Sequence, residues 1–207
     1  MTESITKVIE LIGNIYCPMR ESDKKSLAAI MRPVNFKQHE KIIKIGDPAS
    51  TFYFIEKGMS HSYLMKKKQL VTYRFDYEGH FVIAMESFLT DQPSSENIAA
   101  LEPMQCYAID KKDFERIAKD RVNLQLLLRK IVEQFIVRIM RYNRFMRFEN
   151  AQQRYQIMCM HHPEVIRRAP LIHIATMLQM TPETLSRVRK AQWKNNTTTT
   201  ENELQEI

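Results

Sequence analysis

Apolar positions along this chain follow three successive periods, and each predicts a different kind of element. At the start, Ile5, Val8, Ile9 and Ile12 step by three and four residues, which predicts a helix over residues 4–15. A second helix is predicted over 22–32, with Ser22 as the N-cap of Asp23–Met31. Pro33 ends it, because proline disfavours helical backbone at the residue before it. From about residue 34 to 110 the runs become short and rich in β-branched and aromatic residues. Strands are predicted at Lys41–Ile45, Thr51–Glu56, His61–Lys66, Leu70–Asp76, Phe81–Met85, Asn97–Leu101 and Gln105–Ile109. Turn signals separate them, and Gly46, Gly58 and Gly79 all fall at strand junctions, where positive φ is needed. Many short strands at close spacing predict a sandwich, barrel or jelly roll.

The third period is helical again. Leu124, Leu128, Ile131, Phe135, Ile139, Tyr142 and Met146 form a stripe over a predicted helix at 113–149. Sustained over about three heptads, such a stripe predicts a dimer seam. The expected dimer interface is therefore Leu124, Leu128, Ile131, Phe135, Ile139 and Tyr142. After a break near Glu149-Asn150, helices are predicted at Ala151–His161, Pro170–Leu178 and Pro182–Ala191, followed by a polar tail containing the run Thr197–Thr200.

Two of these helices carry the sharpest local chemistry. Ile172, Ala175 and Leu178 are expected on the inner face of the first, and Met180 in the turn. Thr181 is a suitable N-cap and Pro182 a suitable first helical residue, while Leu185 and Val188 anchor the second helix. Glu183, Thr184, Ser186, Arg187, Arg189 and Lys190 are left on or near the outward face. This is the pattern of a helix-turn-helix, whose second helix enters the major groove. Arg187 suits guanine O6 and N7, and Glu183 suits a cytosine amino group. Thr181, Thr184 and Ser186 can reach phosphates or bases, and Arg189, Lys190 and Lys194 are expected on phosphates.

Charge supports that reading once it is divided. The chain has 207 residues and a net charge of +7. Residues 1–110 hold 13 Lys+Arg and 14 Asp+Glu, whereas residues 121–194 hold 14 and 4, a net of +10. Concentrated positive charge favours polyanions through counterion release. Cys17, Cys106 and Cys159 are odd in number and far apart, which reads as three isolated thiols. Met158-Cys-Met-His-His162 gathers soft metal-ligand types, but these residues read as core and surface, and no metal is assigned. His173 reads as a helix-surface residue. Asn195-Asn-Thr197 and Asn196-Thr-Thr198 match the glycosylation pattern and read as chance, since Met1–Gly13 is amphipathic, carries charges and lacks a signal peptide's apolar stretch. No apolar run reaches a membrane span. No phosphate-cradling glycine loop, nucleophile elbow or carboxylate pair on a shared element is present, so no enzyme activity is expected.

The layout resembles the cAMP receptor protein/FNR family of bacterial transcription regulators. In the first half the resemblance rests on Lys44-Ile-Gly-Asp-Pro-Ala-Ser-Thr-Phe-Tyr-Phe-Ile-Glu-Lys-Gly58 and Glu78-Gly-His-Phe81. In the second half it rests on Thr181-Pro-Glu-Thr-Leu-Ser-Arg187, with Glu183 and Arg187 at the family's base-reading positions and Pro182 where many relatives carry arginine. The resemblance implies an α+β chain. Its parts would be a β-roll sensor domain of the cyclic-nucleotide-binding kind over 1–112, a dimerisation helix over 113–149, a helix-turn-helix over 150–194 and a polar tail over 195–207. The short stretch from His161 to Pro170 implies a winged-helix-like unit with the β-wing reduced or missing.

Within the sensor, the resemblance makes Gly79, Glu86, Ser94 and Ser95 the ligand-pocket candidates. Nucleotide-binding members hold the cyclic phosphate with an arginine. Here Ser94 stands in its place with Glu96 two residues on, which disfavours a buried phosphate. No cofactor is expected, and cAMP least of all. The expected function is a cytoplasmic, homodimeric, sequence-specific regulator that binds double-stranded DNA and acts with RNA polymerase. The alternative is a ligand-binding or protein-interaction module with a vestigial DNA-binding domain.

Overall fold

The computed structural model describes residues 3–48 and 50–192. Trp193, Lys194, the Asn195 and Asn196 motifs and the Thr197–Thr200 run lie outside the described residues. The chain divides into two compact units. One contains Met1–Leu64 and Arg74–Ile139, and the other Met65–Tyr73 and the chain from Met140 on. The division falls inside the long helix rather than at its ends, and it assigns the tip of one hairpin to the C-terminal unit.

The first unit begins with α1 (Glu3–Ile15) and α2 (Glu21–Ile30). Ser22 is not the N-cap: α2 starts two residues earlier than expected, with Arg20 at the cap and no side-chain cap bond. Eight strands follow: β1 (Arg32–Phe36), β2 (Lys41–Ile43), β3 (Thr51–Lys57), β4 (Met59–Lys66), β5 (Gln69–Tyr77), β6 (Phe81–Val82), β7 (Asn97–Ala100) and β8 (Met104–Asp110). They form two four-stranded sheets, ordered β1-β8-β3-β6 and β2-β7-β4-β5. Two elements depart from the predicted set. β1 was hidden by Pro33, which is tolerated because β1 is an edge strand paired only with β8. Residues 85–90 form the helix α3 (Met85–Thr90) instead of extending β6.

β3 explains why this region reads as nearly continuous apolar sequence. Its register pairs Phe52 with Ile109, Phe54 with Tyr107 and Ile55 with Cys106. Phe52, Phe54, Tyr107 and Ile109 enter a core with Ile5, Val8, Ile9 and Ile12 of α1 and with Phe81, Phe88 and Phe114. Ile55 and Cys106 alternate to the other face and join Ile43, Ile98, Ala100 and Met104 in a second core. Both faces are buried, so the period-two signal is masked. Gly58 closes the tight turn between β3 and β4. Its φ is +105°, and a Cβ there would lie 2.7 Å from the Pro103 carbonyl oxygen. A side chain at this site would be strained and sterically blocked.

The helix predicted over 113–149 is two helices, α4 (Lys111–Ala118) and α5 (Val122–Phe148). No proline or glycine marks the break. It is fixed by tertiary bonds: buried Asp23 of α2 accepts from Arg121 Nη1 at 3.0 Å and from Asn123 Nδ2 at 3.1 Å. Gln125 Nε2 donates to the carbonyls of Ala118 and Lys119, satisfying the end of α4.

The second unit contains the end of α5, α6 (Ala151–His161), α7 (Pro163–Arg168), α8 (Leu171–Met177) and α9 (residues 182–192). The predicted break at Glu149-Asn150 is a reciprocal cap. Asn150 Oδ1 accepts from the Gln153 amide, and Gln153 Oε1 accepts from the Asn150 amide, both at 3.0 Å. The stretch between His161 and Pro170 holds the short helix α7. Pro163 starts it, and Glu164 pairs with Arg167 and Arg168. Tyr155, Met158, Val165, Ile174, Ala175, Met177, Leu178 and Leu185 are buried apolar side chains here. Ile172 is exposed, so the inner face of α8 is Ile174, Ala175, Met177 and Leu178.

Candidate functional site

The α8–α9 connection is short and closely tied. Gln179 adopts a left-handed backbone with φ 53°, and the Met180 amide donates to the Ala175 carbonyl at 3.0 Å. The last carbonyls of α8 are taken by side chains of other helices: Tyr142 Oη donates to Met177 O at 2.8 Å and Arg154 Nη1 to Leu178 O at 3.0 Å. A cation at the negative end of a helix is favourable. Thr181 caps α9, its Oγ1 accepting from the Thr184 amide at 3.2 Å. Leu185 is fully buried beneath α9 and Val188 half-buried.

That packing decides which side of α9 faces out. Thr181, Glu183, Ser186, Arg187, Arg189 and Lys190 are all exposed, and Thr184 is half-buried. Arg187 Nη2 donates to Thr184 Oγ1 at 3.3 Å. Glu183 has its carboxyl held below the usual carboxylate range, first by the Thr181 hydroxyl and its own backbone amide, with Arg187 adding a smaller attraction. The Tyr155 hydroxyl is pushed up to about 12, mainly by burial and by the neighbouring Cys159. His161 is exposed while Met158 is buried, so the soft ligand types do not converge on one side of α6. His173 is not a plain surface residue: it is half-buried, with Nδ1 3.1 Å from the Thr72 hydroxyl.

The unit holding this surface also holds the charge. Residues 65–73 and 140–192 contain 12 Lys+Arg and 3 Asp+Glu, a net of +9, whereas residues 1–64 and 74–139 contain 18 of each.

Most of the residues predicted for the seam on α5 are engaged within the chain itself. Leu124 and Ile131 are buried in the first unit's own core, and Leu128 and Phe135 pack against that core. Tyr142 is half-buried and committed to Met177. Of the six, only Ile139 is exposed. The apolar stripe left outside is Ile136 (49%), Ile139 and Met140 (65%), with Val132 half-buried one turn earlier. The helix is apolar on two faces, and spacing by threes and fours picked out the face that belongs to the monomer.

The four sensor candidates do not meet in one pocket. Glu86 lies exposed on α3, where its Oε2 accepts from Ser95 Oγ at 2.7 Å. Ser94 is buried and bonded within its own turn, donating to the Glu96 carbonyl at 2.9 Å. Gly79 (φ +83°) is a turn residue whose carbonyl accepts from the buried Tyr16 hydroxyl at 3.1 Å. Burial raises that hydroxyl well above its ordinary value.

A charged cluster that sequence reasoning missed lies inside the first unit. Arg74 Nε donates to Asp76 Oδ2 at 2.9 Å, and its Nη2 donates to Ile83 O at 2.9 Å and lies 3.6 Å from Glu96 Oε2. Arg138 Nη1 lies 2.9 Å from Asp76 Oδ1, and its Nη2 donates to Phe75 O at 2.7 Å. The Arg74 guanidinium sits 5.0 Å from the centre of the Phe135 ring. Asp76 is 1% exposed. Burial opposes its charge, but Arg74, Arg138 and His80 outweigh that, so its carboxyl stays below the ordinary value. The signal in the sequence was Arg74-Phe-Asp76, which puts two opposite charges on one strand face.

Comparison with known proteins covers this first unit best. Residues 33–121 match the cyclic nucleotide-binding domain family. The chain is also 29% identical over 105 residues to the cAMP-dependent protein kinase regulatory subunit of Dictyostelium discoideum. That alignment covers 46% of this chain and 30% of the relative, so the chain spans under a third of that protein's length. Among solved structures, FixK2 from Bradyrhizobium japonicum aligns with a TM-score of 0.68 at 17% identity, covering 81% of this chain and 86% of that one. The c-di-GMP responsive global regulator CLP of Xanthomonas campestris aligns at 0.65 and 14% identity, covering 86% and 93%. At these identities the two structures show a shared fold: a cyclic-nucleotide-binding-type β-roll with helices, as in Crp/Fnr-type regulators.

Proposed function

We propose that this chain is a homodimeric, cytoplasmic transcription regulator that reads double-stranded DNA through α9 and acts with RNA polymerase, without enzymatic activity. The observation carrying this reading is the exposed set Glu183, Ser186, Arg187, Arg189 and Lys190 on a Thr181-capped helix. The described residues of its unit, 65–73 and 140–192, carry a net charge of +9. In a helix-turn-helix the first helix crosses the phosphate backbone and the second presents its N-terminal residues to base edges. α8 and α9 take those two roles. Glu183 and Arg187, four residues apart on one face, read bases, while Arg189 and Lys190 neutralise phosphates. The exposed stripe Ile136, Ile139 and Met140 supplies the apolar part of the dimer interface, which sets two recognition helices about one turn of DNA apart.

The β-roll senses a signal other than cAMP. Ser94 offers no charge to a cyclic phosphate, Glu86 faces out, and the half-buried Arg74 is already engaged by Asp76 and Glu96. A phosphate introduced there would have to compete with two carboxylates for one guanidinium. Calorimetry with cAMP is expected to show no heat of binding for the parent chain or for Ser94→Arg. Micromolar affinity in either would overturn this account of the roll.

Selection from a pool of random duplexes tests the DNA reading. The parent enriches a two-fold symmetric motif, and Arg187→Ala enriches it weakly with relaxed choice at one position in each half-site. Recovery of unselected sequence by the parent would contradict the proposal. A second reading, a ligand-binding module acting through protein partners, is favoured only by the kinase regulatory relative. It is supported if Arg187→Ala leaves the cellular effect intact.

A further inference from the structure

Lys66, Lys67 and Lys68 form the tip of the β4–β5 hairpin, and all three are exposed. Among the described residues, no acidic side chain forms an ion pair with any of them. Their backbone is unusual for lysine: Lys67 and Lys68 have φ of 49° and 65°. A two-residue hairpin turn with both positions left-handed favours Asn-Gly, and L-residues with longer side chains are strained there. Lysine at both positions costs turn stability and places two charges where folding alone would not put them.

The hairpin tip belongs to the same compact unit as α8 and α9. Thr72, fully buried on β5, fastens it: its amide donates to Thr176 Oγ1 at 3.2 Å and its hydroxyl lies 3.1 Å from His173 Nδ1. Thr176 and His173 are both on α8. Lys68 is four residues from Thr72, about 13 Å along an extended strand. In the proposed reading α8 crosses the phosphate backbone, so the lysine tip is carried within reach of phosphates flanking the recognised bases.

We infer that the lysine hairpin is a second DNA-binding element, a sequence-independent clamp on the phosphate backbone beside the site read by α9. This rests on the proposed function, and the test separates the two. The salt dependence of binding to the selected duplex is measured for the parent, for a Lys66→Gln/Lys67→Asn/Lys68→Gly variant and for a Lys66→Arg/Lys67→Arg/Lys68→Arg variant. The first removes charge while relieving the turn. The slope of log affinity against log salt should shrink by about 0.9 for each phosphate that the hairpin no longer neutralises. The enriched motif stays the same, and the arginine variant keeps the parent's slope. An unchanged slope in the neutral variant would overturn the clamp while leaving the reading by α9 in place. So would loss of binding to purified RNA polymerase with DNA binding unaltered, which would assign the lysines to a protein surface. A parent chain that binds no duplex at any salt concentration would overturn both.

Discussion

The β-roll interior and the α8–α9 surface treat charge in opposite ways. At the roll, the buried Asp76 and Glu96 are bonded to the half-buried Arg74, and Asp76 also to the half-buried Arg138 of α5. On α9, Glu183, Arg187, Arg189 and Lys190 are held outward by one buried leucine, Leu185, and residues 65–73 and 140–192 of that unit hold 12 basic and 3 acidic side chains. Buried charge must be paired or it is expelled, so the first set is structural. Outward charge leaves stability nearly unchanged and is available to a ligand, as the proposed reading of DNA by α9 requires. Substitutions in the two regions should therefore separate cleanly into losses of stability and losses of binding.

The largest effect is expected at Asp76. Asp76→Asn leaves two guanidiniums without their shared carboxylate and should cost about 3 kcal/mol or more in denaturant unfolding at neutral pH. The pH dependence follows from the lowered carboxyl. Asp76 contributes stability fully above the unfolded value of about 4, and that contribution disappears as pH falls through the lower folded value. The gap between parent and variant should thus close below pH ~4. A constant gap from pH 7 to pH 3 would assign the loss to packing alone. Next comes the seam. Ile136→Glu with Met140→Glu puts charge into the exposed stripe of α5 and should convert a dimer to a monomer in sedimentation, with little change in unfolding. Leu124→Ala should instead destabilise the monomer by about 2–5 kcal/mol, because it leaves a cavity in the chain's own core.

That pair of substitutions marks where the sequence was readable and where it was not. The short β-rich runs and the glycines at 46, 58 and 79 pointed to a sandwich, barrel or jelly roll, because turn chemistry is local. The Thr181–Leu185 cap and anchor exposed the outward face of α9 for the same reason. On α5 both faces carry apolar residues, and only tertiary packing decides which one the chain itself buries. The break before α5 depends on Asp23, about a hundred residues away in sequence. The sensor candidates Glu86 and Ser94 were placed by resemblance, and one extra helix, α3, turns Glu86 outward. Arg74 and Asp76 were visible as a charged i, i+2 pair, but such a pair looks solvent-facing until the strand is known to be buried.

Smaller effects sharpen the contrast on the α9 side. Thr181→Ala removes a side-chain cap and should cost about 1 kcal/mol, with a parallel loss of DNA affinity as the first turn of α9 frays. His173→Ala should leave base preference unchanged and alter only the hairpin's attachment through Thr72. A changed motif in that variant would mean that His173, and not the hairpin, faces the duplex.

The most direct measurement is the affinity of the purified chain for its selected duplex and for a scrambled duplex of equal length, at one physiological salt concentration, with and without Arg187→Ala. The parent is predicted to prefer the selected duplex by on the order of a thousandfold or more, and the variant to give up roughly ten- to a hundredfold of that preference while unfolding like the parent. Equal affinity for both duplexes, or a variant that discriminates as well as the parent, would contradict the reading of DNA by α9.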